Sequence, residues 1–139
     1  MVTYETFSHQ ADIGVRGFGA TAEEALVNGA KALFSLMVDL KEVSSKESVK
    51  IAVQAEDQPG LFVEWLNQLL AAADIKRWLF SKFEITIENG RSLRGKVWGE
   101  PINLKKHTLL TEVKAATYSQ LKVEQKPDGQ WVAQCVVDV

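Results

Sequence analysis

"HQADIGVRGFGATAEEAL", His9 to Leu26, is the stretch on which the fold turns. Its first half, from His9 to Val15, reads as a buried extended run, and Gly14, Gly17 and Gly19 interrupt the extended chain around and beyond its end. Glycines inside a strand mark bulges or places where another backbone comes close. Its second half starts a helix. Thr21 is an N-cap residue and Glu24, three positions on, completes a capping box. Leu26, Ala30, Leu33, Phe34 and Met37 then recur on one helical face. Asp12 is the misfit. Aspartate is poorly suited to a strand interior, and a buried carboxylate is costly unless something pairs with it.

Outward from this stretch, Tyr4 and Phe7 suggest an extended piece before it. After the first helix, "KEVSSKES" reads as a surface loop and "VKIAVQA", Val49 to Ala55, alternates as a strand. Asp57 is the cap of a second helix, with Pro59 near its first position, where a missing N–H costs little. Phe62, Trp65, Leu66, Leu69, Leu70 and Ala73 give that helix a broad apolar stripe, which places it centrally in the core. The remainder is β. Phe83, Ile85 and Ile87 alternate, Asn89-Gly90 signals a two-residue hairpin, and Leu93 to Trp98 returns. A long strand is expected over Leu109 to Glu124, then a turn at Asp128-Gly129 and a last strand from Trp131 to Val137. The expectation is one α+β domain over residues 1–139, with mixed or antiparallel sheets of about six or seven strands packed with two α-helices.

Composition narrows the function. The chain has 139 residues, 46% of them hydrophobic and 24% charged, enough for one proper core without staples. Its net charge of −2 lacks the basic excess on which strong nucleic-acid binding rests, although a local patch remains compatible with it. The single cysteine, Cys135, allows neither an internal disulfide nor a multi-thiolate zinc cluster, and it sits in "WVAQCVV" as a core thiol. "MVTYETFSHQ" has neither the basic nor the apolar part of a signal peptide, and no apolar run approaches the length of a membrane span. A cytoplasmic location with no membrane partner is the expectation.

No catalytic motif is visible. There is no Gly-x-Ser-x-Gly elbow and no phosphate loop, and "GVRGFGA" lacks the dinucleotide spacing. His9 and His107 stand alone, and Lys105, Lys106 and His107 read as a solvated basic loop. The unusual groups are carboxylates. Asp138 lies in "CVVDV", and Val139 brings a main-chain carboxylate beside it. Asp12 and these two form a set of oxygen donors suited to a hard divalent cation, if the two ends of the chain meet; the alternative is that both aspartates cap strand ends and face water. In "EVKAATY", Glu112 and Lys114 point to one face of a strand, and Val113, Ala115 and Thr117 to the other.

"HQADIGVRGFGATAEEAL" resembles the N-terminal signature of the archease family. "LFVEWLNQLL", Gly99-Glu100, "EVKAATY" and the terminal Asp138-Val139 resemble its later elements, in family order along nearly the whole chain. The resemblance implies a non-enzyme that activates an RtcB-type RNA ligase, the enzyme that joins 2′,3′-cyclic or 3′-phosphate ends to 5′-hydroxyl ends in tRNA splicing and RNA repair. It implies promotion of ligase guanylylation and of multiple turnover. It also implies a divalent metal (Ca²⁺ in vitro, or Mg²⁺ or Mn²⁺) on Asp12, Asp138 and Val139. His9, Glu100, Glu112 and Lys114 would then be metal-proximal or partner-facing. The chain departs from the family pattern at Ser8 and Gln10, where aspartate and threonine are common, and at Ser119, where a histidine is common. The alternatives are a chaperone-like interaction module with a vestigial metal site and, with least support, a small metal-dependent hydrolase using His9 and Asp12.

Overall fold

Caps set the first boundaries. In the computed structural model, which describes residues 2–139, the Thr21 hydroxyl accepts the Glu24 N–H at 3.1 Å and the Asp57 carboxylate accepts the Gly60 N–H at 2.7 Å. Each satisfies a donor that the first helical turn leaves free. The elements in chain order are β1 (Tyr4–His9), β2 (Asp12–Gly19), α1 (Ala22–Met37), β3 (Glu47–Gln54), α2 (Gln58–Lys76), β4 (Trp78–Glu88), β5 (Ser92–Pro101), β6 (Ala115–Ala116), β7 (Lys122–Gln125) and β8 (Trp131–Asp138). A short 3-10 turn, Leu40–Glu42, comes after α1.

The strands make two antiparallel sheets. One runs β1-β2-β8-β6 with β7 also on β8; the other runs β3-β5-β4. Both helices pack on strands of both sheets, so the core lies where they bridge them. The α+β expectation holds. Leu26, Ala30, Leu33 and Phe34 of α1 are fully buried, as are Phe62, Trp65, Leu66 and Leu69 of α2. The Trp65 indole N–H donates to the Leu26 carbonyl at 3.0 Å, which ties the helices together and meets a polar need that burial would otherwise leave unmet.

Among the described residues eight strands form, and three boundaries differ from expectation. The run from Leu109 to Glu124 is not one strand. Leu109 makes only an isolated bridge to Val38. The next two amides, of Leu110 and Thr111, donate to the carbonyls of Met37 and Leu36 at 2.9 Å each. Those carbonyls are left free by the last turn of α1, and capping them takes this segment out of the sheet. Further on, the chain bulges between β6 and β7 before it rejoins β8, with Gln120 at φ 55°.

The second difference is at the β4–β5 connection. Asn89 and Gly90 take left-handed conformations, but Arg91 also belongs to the loop. Its carbonyl accepts the Ala55 N–H at 2.9 Å and so serves the end of β3. The third is in the opening stretch. His9 and Asp12 face each other across a turn of Gln10 and Ala11, so the buried run expected from His9 to Val15 is broken and Asp12 starts a strand rather than interrupting one. Gln10 holds φ 54°, a conformation usually left to glycine.

Candidate functional site

Along β2 and β8 the register pairs Ile13 with Val137, Val15 with Cys135 and Gly17 with Ala133. Val15, Val137, Cys135 and Ala133 are fully buried in the core. The alternate residues therefore point away from the helices. One more step in the register sets Asp12 across from Asp138. His9 lies beside Asp12 on β1, and Ala115 lies beside Asp138 on β6. This row crosses the end of the sheet and collects three of the residues singled out in the sequence.

The chain end is held there. Lys114 N–H donates to the Asp138 carbonyl at 2.8 Å, and half-buried Val139 packs against the core. Among the described residues, neither Asp12 nor Asp138 has a cationic side chain within ion-pair distance. Arg16, further along the same face, is committed elsewhere. It pairs with Glu5 at 3.4 Å, donates to the Gln134 amide oxygen at 2.8 Å and lies 4.3 Å above the Phe7 ring. Like charges opposite one another on adjacent strands repel. The donor chemistry of the pair suits a hard cation, yet no three His, Cys, Asp or Glu side chains converge on a metal geometry among the described residues.

The other singled-out residues separate. Glu112 and Lys114 are exposed with Val113 buried between them, so their alternation survives although the segment is irregular. Both line a groove with Met37, Leu70, Arg77 and Trp78. Glu100 lies on the other sheet and is buried, with 4% exposure. Its carboxylate accepts from Lys106 Nζ at 2.6 Å, Ser44 N–H at 2.8 Å and His107 Nε2 at 2.9 Å, and Lys46 Nζ stands 3.6 Å away. Burial opposes its ionisation, but the bonds from Lys106, Ser44 and His107 outweigh it and bring the pKa down to about 2.

The solvated reading of His107 is overturned, because the residue is 2% exposed and its ring is fully buried. Its Nδ1 accepts the Asn103 N–H at 3.0 Å, which assigns the ring proton to Nε2, facing Glu100. Sequence reasoning missed Ser44, Lys46 and Asn103 as members of this cluster; none has a local pattern that marks it. Cys135 is fully buried, and burial pushes its thiol up to about 12 despite an opposing backbone hydrogen bond at Thr117. It is an inert core residue.

The model of the Archease protein family (MTH1598/TM1083) matches residues 4–139. The chain is 42% identical to the protein archease of Thermococcus kodakarensis and 41% identical to that of Pyrococcus abyssi, each over the full length of both chains. The solution structure of protein 1598 from Methanobacterium thermoautotrophicum superposes with a TM-score of 0.86 at 33% identity, covering 99% of both chains. A Thermotoga maritima archease, described as a possible chaperone, shares the fold at a TM-score of 0.65 and 22% identity, over 97% of this chain and 96% of its own.

Proposed function

The chain belongs to the archease family, and on that footing we propose that it acts as a non-catalytic protein cofactor of an RtcB-type RNA ligase in the cytoplasm, promoting ligase guanylylation and multiple turnover in tRNA splicing and RNA repair. The observation that carries the reading is the register that pairs Ile13 with Val137 and, continued by one step, sets Asp12 across from Asp138, with no cationic side chain within ion-pair distance of either among the described residues. Asp12, Asp138 and the Val139 carboxylate are the groups that would hold a divalent cation. Such an ion supplies positive charge that organises phosphate oxygens. The residues themselves do the positioning. The Lys114 amide and the packing of Val139 hold the chain end in place, and the two-residue turn fixes Asp12 beside His9.

The test is multiple-turnover ligation by an RtcB-type ligase from the same source, with and without this protein, alongside Asp12→Ala. Stimulation by the wild type that the variant loses is the expected result. No stimulation of an active ligase by the folded protein overturns the reading. It would favour a chaperone-like interaction module, for which Leu109 and Leu110, 48% and 60% exposed, would offer apolar contact.

A further inference from the structure

The face of the three-stranded sheet turned away from the helices carries two opposed lysines, Lys50 and Lys96, that no carboxylate neutralises among the described residues. Across β3, β5 and β4 its rows are Ser48–Trp98–Lys82, Lys50–Lys96–Glu84 and Ala52–Arg94–Thr86. Ser48, Lys50, Ala52, Arg94, Lys82 and Glu84 are exposed, and Trp98 is half-buried. Lys50 and Lys96 stand directly opposite each other, an arrangement that costs stability. The neighbouring carboxylates are taken: Glu84 pairs with Lys82 at 3.7 Å, and Glu88 pairs with Arg94. Neither Lys50 nor Lys96 has an ion pair among the described residues. Protection of a sheet edge explains a lysine on β3, but Lys96 and Arg94 are on the central strand. The one large apolar group on the face is aromatic. Lys82 and Lys96 reach over the Trp98 ring, with Nζ 4.6 and 5.4 Å from its centroid.

We propose that this face binds single-stranded RNA, with Lys50 and Lys96 on the phosphates and one base stacked on Trp98. Aromatic groups on an open sheet, flanked by cations, are the means by which single strands are held without base-specific contacts. The exposed Ser48 hydroxyl, in the row of Trp98, is a donor and acceptor suited to a ribose 2′-hydroxyl. A lipid surface is disfavoured because the face has no aliphatic side chain larger than Ala52 to insert. The net charge of −2 makes the site weak and salt-sensitive. The proposal needs neither the ligase nor the cation, so it stands or falls separately from the function above.

The experiment is fluorescence anisotropy of a labelled oligouridine, titrated with the full chain in EDTA over a series of salt concentrations. The same titration is run with DNA of matching sequence, and phosphatidylserine vesicles are tested by co-sedimentation. Lys50→Gln/Lys96→Gln, on the outer face of the sheet and clear of the core, should weaken RNA binding about tenfold at low salt and reduce the log–log salt slope by about 1.4. Trp98→Leu, which keeps an apolar group at the half-buried position, should weaken binding about tenfold. The lysine pair decides the matter if the tryptophan variant does not fold. Absence of RNA binding by the wild type at low salt, or equal binding by the lysine variant, overturns the proposal. Equal affinity for the DNA overturns the assignment to RNA, and tighter binding to vesicles than to RNA reassigns the face to lipid.

Discussion

His107 and Glu100 meet inside the protein, with Nε2 and Oε2 at 2.9 Å and the imidazole proton directed at the carboxylate. The pair fastens the loop after β5 to the sheet, because Asn103, Lys106 and His107 all belong to that loop and all join the network. Glu100 is therefore an internal anchor.

Removing its charge has a defined signature. Glu100→Gln removes the carboxylate with which Lys106 and Lys46 pair and, given its shift from 4.5 to about 2, should cost about 3 kcal/mol at neutral pH. The folded-state pKa of about 2 lies below the ordinary value of 4.5. The stabilisation is thus complete above about 4.5 and is lost as pH falls towards about 2. Urea unfolding across that window should show a steeper acid loss in the wild type than in the variant. Parallel acid limbs would refute the anchoring role.

Gly17 and Gly14 should respond differently to the same change. A methyl group on Gly17 would land on the Gly29 nitrogen and the Ala25 carbonyl, which are backbone atoms of α1. A methyl group on Gly14 meets first the ring of Phe7, its cross-strand neighbour, and a side chain can turn aside. Gly17→Ala should cost about 3 kcal/mol or more, and Gly14→Ala clearly less. Equal melting temperatures for the two variants would contradict the close approach of β2 to α1.

The carboxylate row makes a prediction free of any ligase. In EDTA, Asp12→Asn should leave stability unchanged or slightly raised, since it relieves a like-charge contact. In Ca²⁺, Mn²⁺ or Mg²⁺ at about a hundred times the dissociation constant, the wild type should gain about 2.7 kcal/mol, or about 8 °C in melting temperature. Asp12→Asn and Asp138→Asn should lose that gain. A wild type that ignores all three cations at millimolar concentration would remove the cation from the proposed function.

Much of the architecture was legible where its cause is local. Thr21 and Asp57 act through bonds to residues three positions away, and the apolar stripes of α1 and α2 repeat within a few turns. The turn at Gln10-Ala11 was not legible, because neither residue has the turn chemistry of Gly or Asn, and the pairing of β1 with β2 imposes the conformation. The segment from Leu109 was expected to continue as a strand, yet its amides go to the end of α1, a partner that no local pattern announces. His107 looks like its basic neighbours in sequence and becomes buried only because Glu100 is there to receive it.

The two helices and their caps, the α+β class, the family resemblance and the identity of two carboxylates out of keeping with their surroundings were all present in the order of the residues. The helices and caps come from interactions that reach no further than a few positions along the chain. Folding in three dimensions was needed to put Asp12 and Asp138, at opposite ends of the chain, in one row. The same is true of Glu100, which is drawn inward by Lys106 and His107, and of Lys50 and Lys96, which face each other without an ion pair among the described residues. Strand register sets these relationships, and register is fixed by which apolar faces can be buried together.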